Sequence, residues 1–219
     1  YIGKTPTSVP LTSSDLADNI VTVDKLATTL DLSSNTVTLP SGVGGSLVKL
    51  QSQTISTSVT SVTFTSTYLT STYPIYKIMW YSLNGDANDQ AVHIKFSDDN
   101  GSTYLTSVVT YVGYNPRNGA GNQTSGKSIN FLPIAQGLED SAEGSASGEI
   151  VLSNPSNSTQ YTTGTLIASH KVTDNVSDEA RFFAQGFFIK DTSAINNFQI
   201  YPDTGNLTNG TIILYGVTG

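Results

Sequence analysis

An all-β protein made of antiparallel sheets is what this sequence predicts, and three observations predict it. Charged residues make up only 12% of the 219 positions, well below the share that helix-rich enzymes carry. Thr, Val, Ile, Tyr and Phe recur in short runs of period-two alternation, the pattern of half-buried strands. Gly, Asn, Asp and Ser collect between those runs, where turns need them. Many short strands without a long helical period are best buried as two packed sheets. The specific expectation is a β-sandwich of jelly-roll type.

Residues 1–45 read differently from the rest. In VPLTSSDLADNIVTVDKLATTLDL, Asp15-Leu16-Ala17 is echoed ten residues later by Lys25-Leu26-Ala27. Ser13 or Ser14 would cap one short helical turn, and Thr22 or Asp24 the next. Leu16, Ile20, Leu26 and Leu30 then line one thin apolar stripe, too narrow for a core but suited to attachment or oligomerisation. The alternative is an extended arm of no fixed structure. The run Ser41-Gly42-Val43-Gly44-Gly45-Ser46 after Pro40 has the composition of a hinge. The expected organisation is thus an attachment and oligomerisation segment with its hinge over 1–45 and a sandwich over 46–219.

From Leu47 onward each element has its own signal. Ser58 to Phe64 alternates Val59, Ser61 and Thr63 against Thr60, Val62 and Phe64. After Pro74, IYKIMWYSL is apolar at both phases, as in a strand covered on both faces; Tyr76 and Trp80 share one phase and read as core. Asn84-Gly85 is a turn signal. AVHIKF follows, with Val92, Ile94 and Phe96 inward and His93 and Lys95 outward, then the turn Asp98-Asp99-Asn100-Gly101. TYLTSVVTYVGY leads into a polar loop, Asn115 to Lys127. SINFLPI, GEIVLSNP, TTGTLIASHKV, ARFFAQGFFIK, INNFQIYP and GTIILYGV complete nine or ten strands.

Charge narrows the partners. Ten Lys and Arg stand against seventeen Asp and Glu, a net −7, a poor surface for phosphate backbones. No apolar stretch approaches the roughly 20 residues that span a bilayer, and the opening residues show no signal-peptide pattern. Nucleic acid and membrane insertion are therefore not expected. The chain has no cysteine, so disulfides, thiolate metal sites and Cys nucleophiles are out; durability would have to come from oligomerisation.

Catalytic chemistry finds little to work with. Of the two histidines, His93 and His170, both read as surface residues without a role, and neither has a neighbour at metal spacing. Carboxylates cluster only in Gly137-Leu138-Glu139-Asp140-Ser141-Ala142-Glu143, a Gly/Ser-bordered loop where solvation is the rule; a glycosidase pair needs walls to shift one pKa. No catalytic residue, metal site or cofactor is assigned. Ser97-Asp98-Asp99-Asn100-Gly101-Ser102-Thr103-Tyr104 resembles the Asp-box turn S-x-D-x-G-x-T-W and loosely suggests a calcium loop, but a plain Asn-Gly hairpin is the favoured reading. The sequons at Asn122, Asn157, Asn175 and Asn206 are what chance provides in so Asn- and Thr-rich a chain. For binding, Tyr104 and Tyr161 offer flat ring faces, and Tyr111 and Tyr114 lead into the loop bearing Arg117, Asn118 and Asn122. That set combines aromatic faces with hydrogen-bond donors and is the candidate contact with host surface polysaccharide.

The opening YIGKTPTSVPLTSSDLADNIVTVDKLA resembles the N-terminal part of fibre and collar-type structural proteins of tailed phages, marine ones especially. The remainder is similar to a widespread phage virion β-sandwich, through VTFTSTYLTSTYPIYKIMWYSL, the SxDxGSTYL turn at 97–105, and the closing FQIYPDTGNLTNGTIILYGV. Its ending, Gly205-Asn206-Leu207 followed by Gly210-Thr211-Ile212 and Leu214-Tyr215-Gly216, carries the most specific part of the likeness. The loops at 113–128 and 136–148 lie outside it. The resemblance implies a virion component, commonly trimeric, joined to other virion proteins by its N-terminus with the sandwich outward, and no catalytic residues. The short stalk argues against a long tail fibre. A short tail fibre or appendage that helps the particle meet its host is the first expectation, through weak sugar sites acting jointly. A capsid decoration or cement protein is the second, and a polysaccharide depolymerase a remote third.

Overall fold

The alternating runs become twelve strands in the computed structural model, which describes residues 46–116, 123–138, 140–141, 144–173 and 178–218. In chain order they are β1 (Leu47–Ile55), β2 (Val62–Phe64), β3 (Ile75–Gly85), β4 (Gln90–Ser97), β5 (Val109–Tyr114) and β6 (Gln123–Ile129). Then come β7 (Leu132–Leu138), β8 (Ala146–Ser153), β9 (Thr162–Thr173), β10 (Asp178–Ile189), β11 (Asn197–Pro202) and β12 (Leu207–Val217). No helix occurs among the described residues, all of which lie in the unit Ser41–Gly219. The stripe Leu16, Ile20, Leu26 and Leu30 lies outside the described residues.

Pairing is antiparallel throughout and makes two sheets. One has eight strands in the order β1-β12-β3-β8-β9-β10-β5-β6, the other four in the order β2-β11-β4-β7. Their inward phases share one apolar core. From the larger sheet come Tyr76, Ile78, Trp80, Ile150, Leu152, Leu166, Phe183, Ile212 and Leu214, each at most 2% exposed. From the smaller come Phe64, Val92, Ile94, Phe96, Phe198 and Ile200. Phe64 stacks on Phe198 at 4.7 Å within the smaller sheet, and Phe96 meets Phe187 of β10 at 6.3 Å across the layers. The expected inward phase of AVHIKF and the core placement of Tyr76 and Trp80 are found as read. Full burial of such side chains contributes about 1.5–3 kcal/mol each. Tyr76 keeps its polar end satisfied: its hydroxyl donates to the Thr70 carbonyl at 2.7 Å.

Three local expectations need correction. Asn84-Gly85 is not a turn. Both residues continue β3 beside β12, with Gly85 opposite Leu207, and the chain reverses at Asp86–Asp89 instead. Asp86 anchors that reversal by accepting from the Asn206 backbone N–H at 2.6 Å. The stretch after Tyr114 is not all loop, because Gln123–Ile129 pairs with β5 as an edge strand. SINFLPI splits between β6 and β7 rather than forming one strand.

The turn at 98–101 forms, but not as a plain hairpin. β4 pairs with β11 and β7, and the chain leaves the turn to join the other sheet as β5. Side chains hold it. Asp99 accepts from Thr103 N–H at 2.9 Å, Thr103 Oγ1 at 2.7 Å and Ser97 Oγ at 2.7 Å. Ser97 Oγ in turn accepts from Gly101 N–H at 2.9 Å. Gly101 sits at φ +87°, and a Cβ there would lie 2.9 Å from Asn197 Nδ2. The first, third, fifth and seventh positions of the Asp-box pattern bond to one another, while Tyr104 packs its ring under Lys95 Nζ at 4.1 Å.

Candidate interaction face

Neither histidine is a surface residue. His93 does occupy the outward phase of β4, but Phe131 lies flat on it at 3.9 Å and Tyr201 packs edge-on at 5.7 Å, leaving it 8% exposed. Burial lowers its pKa, with Asp203 opposing in part. His170 points inward from β9, 5% exposed, beside the Phe183 ring. Its Nε2 lies 2.7 Å from the Gln136 carbonyl, which also accepts from Arg181 Nη1 at 2.7 Å. So short a distance to a carbonyl needs the proton on Nε2. Desolvation first, then the Arg181 charge, brings the imidazole down to about 4, against the support of its bond to Gln136. His170 is a neutral structural group at pH 7.

The aromatic pair proposed for glycan contact divides. Tyr111 and Tyr114 are three residues apart on one strand, so the pleat sends them to opposite faces. Tyr111 is 8% exposed and lies over Gly126, while Tyr114 is 46% exposed. They do not form one platform. Arg117, Asn118 and Asn122 lie outside the described residues, as do Glu139 and Glu143 of the acidic loop. Tyr161 is exposed and stacked on Phe188 at 6.0 Å. Tyr104 is half-buried beside Lys95 rather than open.

What single-residue reading missed is a whole face. On β3 the buried phase is Tyr76, Ile78 and Trp80, so Lys77, Met79 and Tyr81 face away from the core. Register carries that outer phase across the larger sheet. Ile213 pairs with Met79, Met79 with Glu149, Glu149 with Ile167, Ile167 with Ala184, and Ala184 with Tyr114. The row is apolar at five of these six positions. Tyr81, Ile167, Phe182, Val112 and Tyr114 on this face are 51%, 51%, 41%, 64% and 46% exposed. An antiparallel sheet with one wet face normally alternates apolar-in with polar-out; here large apolar side chains break into an outer phase that is otherwise Ser, Thr, Lys and Glu along β8 and β9.

Met79, Tyr81, Ile167, Phe182 and Ile213 wall an open groove of about 520 Å³ whose floor includes Ser147, Gly148 and Ser169. A second groove of about 450 Å³ shares Ser147 and Ser169 and runs on past Ser145 to Lys171 and Glu179. Gly148 is needed for the close approach of β8 to β9: a Cβ there would stand 2.6 Å from the Ala168 Cβ and from the Ile167 carbonyl. Charge inside the face is balanced locally, Lys77 Nζ lying 2.7 Å from Glu149 Oε2. No cluster of three or more His, Cys, Asp or Glu able to hold a metal occurs among the described residues. The groove is chemically an open valley with apolar walls and small residues on its floor, set among Ser, Thr, Lys and Glu of the surrounding outer phase.

No protein-family model matches this sequence, and no curated protein is significantly similar to it.

Proposed function

We propose that this chain is a non-enzymatic structural component of a tailed-phage particle, a short tail fibre or appendage whose β-sandwich is displayed outward while residues 1–45 attach it. The fold reading within that proposal is a jelly roll with two inserted hairpins. What supports it is the strand order. Without β5–β6 and β9–β10, the remaining eight strands run 1-8-3-6 in one sheet and 2-7-4-5 in the other. A long antiparallel ribbon pairing 1 with 8, 2 with 7, 3 with 6 and 4 with 5 adopts that order when it wraps into two layers. Since one fold hosts many functions, the fold alone does not carry the role.

The observation that carries it is the exposed apolar groove on the outer face of the eight-stranded sheet, walled by Met79, Tyr81, Ile167, Phe182 and Ile213. Exposed apolar side chains gathered round one groove mark an interaction surface. A subunit that works by being assembled needs such a face and needs no cleft of ionisable groups. Host glycan contact, if it occurs on this face, falls to Tyr114 and Phe182 rather than to Tyr111. The test is localisation and copy number in purified particles. Stoichiometry matching the tail's low-order symmetry is the expected result. Copies matching the head lattice instead move the chain to a decoration role, and absence from particles ends the proposal.

A further inference from the structure

We infer that the hollow over Gly186, on the outer face of the eight-stranded sheet, seats one ring of a saccharide whose chain runs on along β10 past Tyr114 towards Phe182. This deepens the host contact within the proposed function, and it rests on that reading for the source of the sugar.

Gly186 is the first support. Glycine inside a strand costs stability, and it belongs where something must come close to the backbone. The fold supplies that reason at other strand glycines. A Cβ at Gly113 would strike the Ala184 carbonyl, one at Gly164 the Phe187 ring, and one at Gly216 the Tyr73 ring. Gly186 differs. It is exposed in the middle of β10, between Val112 and Thr165. No heavy atom of the described residues lies within 4 Å of where its Cβ would stand. Packing within the sheet does not call for glycine here, whereas a group arriving from outside does.

Shape is the second. The outer phase of β10 reads Phe182, Ala184, Gly186, Phe188, aromatic at both ends and small between them. Six residues of strand set those two rings roughly 20 Å apart. Thr165 and Ile167 of β9 border the small stretch on one side, and Val112 and Tyr114 of β5 on the other. At the Phe188 end lies a hollow of about 250 Å³, bounded by Gly186, Phe188, Val112, Thr110 and Thr163. Such a space lies below the usual range for a drug-sized ligand and admits one ring. Tyr161 lies parallel to Phe188 at 6.0 Å and extends that wall.

Chemistry is the third. A pyranose has an apolar C–H face and a rim of hydroxyls. Phe188 and Val112 match the face, and Thr110 and Thr163 match the rim. Thr110 Oγ1 accepts from the Ser128 N–H at 3.1 Å, which leaves its own proton to donate. Among the described residues no charged side chain lines the hollow. It therefore selects by shape and hydroxyls rather than by a carboxylate, sulfate or phosphate. An aliphatic side chain from another protein would fill the space but leave the threonine hydroxyls without partners.

The experiment is saturation-transfer NMR and calorimetry of the full chain with glucose, galactose and N-acetylglucosamine and their oligosaccharides. Gly186→Leu fills the hollow, and since a Cβ there meets nothing, its melting midpoint is expected to match or exceed that of the wild type. Phe188→Thr removes the ring and keeps β propensity. The wild type is expected to bind at least one of these sugars, and both variants to bind it at least about tenfold less. A wild type that binds none of them overturns the inference, as does a folded Gly186→Leu that binds like the wild type. So does a wild type without sugar binding whose Gly186→Leu variant fails to enter particles, which would give the hollow to another virion protein. Presence of the wild type in particles is measured separately, so a chain found in virions that binds no sugar removes this site and leaves the structural role standing.

Discussion

His170 shows how one inward side chain turns into a pH dependence. Its pKa falls from the ordinary 6.5 to about 4 because burial penalises the imidazolium. The unfolded chain therefore takes up a proton below pH 6.5 that the folded chain refuses until about 4. Stability is full above 6.5 and falls as pH drops through that window, by on the order of 3 kcal/mol. Denaturant titrations between pH 7 and 4 are expected to show this slope, and His170→Gln to flatten it. Asp99 works in a lower window with the same sign. Bonds from Thr103 and Ser97 hold its carboxyl at about 2 rather than 3.8, so what it adds is present above pH 4 and lost towards 2. Asp99→Asn is expected to melt earlier than wild type at pH 7 and to converge with it near pH 2. Neither histidine's burial was legible in the sequence. The period-two phase of His93 was read correctly, yet phase names a face and not what lies on it; Phe131, from a separate segment, decides its exposure. His170 was placed on the surface because a polar run, ASHKVTD, hid the inward phase shared with Leu166 and Ala168.

Among the elements, the hairpins β9–β10 and β5–β6 do most to shape the larger sheet. β9–β10 and β5–β6 widen one sheet to eight strands and bring Ile167, Phe182, Val112 and Tyr114 onto its outer phase. Close strand packing there depends on Gly148, whose missing Cβ lets β8 lie against Ala168 and the Trp80 ring. Gly148→Ala is expected to cost about 1–3 kcal/mol through overpacking, seen as a lower denaturation midpoint with an unchanged slope. β6 escaped the sequence reading for a physical reason: an edge strand kept polar against aggregation has no apolar alternation to detect. Asn84-Gly85 misled for the opposite reason. Its dipeptide favours a turn locally, but continued pairing with β12 keeps the chain extended for two more residues.

At the scale of the molecule, one core holds both sheets, so the unit beginning at Ser41 is expected to unfold in a single transition. Deleting residues 1–40 should leave a soluble product with the same melting curve, while abolishing incorporation into particles. Normal incorporation of that truncation would show that the leader is not the attachment. Removing a side chain that joins the layers has the contrary effect: Phe96→Ala is expected to lower stability by about 3–5 kcal/mol, since its ring packs on Phe187 across the sheets.

The sequence by itself determined the all-β class, most strand positions and the inward phase of the core, because each is written in local alternation and turn chemistry. It placed a turn at 98–101 but favoured a plain Asn-Gly hairpin there, and the locking bonds among Ser97, Asp99, Gly101 and Thr103 came from the structure. Only the tertiary structure decided which polar residues were buried, that Tyr111 and Tyr114 part company, and that Met79, Tyr81, Ile167, Phe182 and Ile213 of four strands wall one groove. Those facts depend on what distant segments place beside or over a residue, and alternation along one strand is silent about its neighbours.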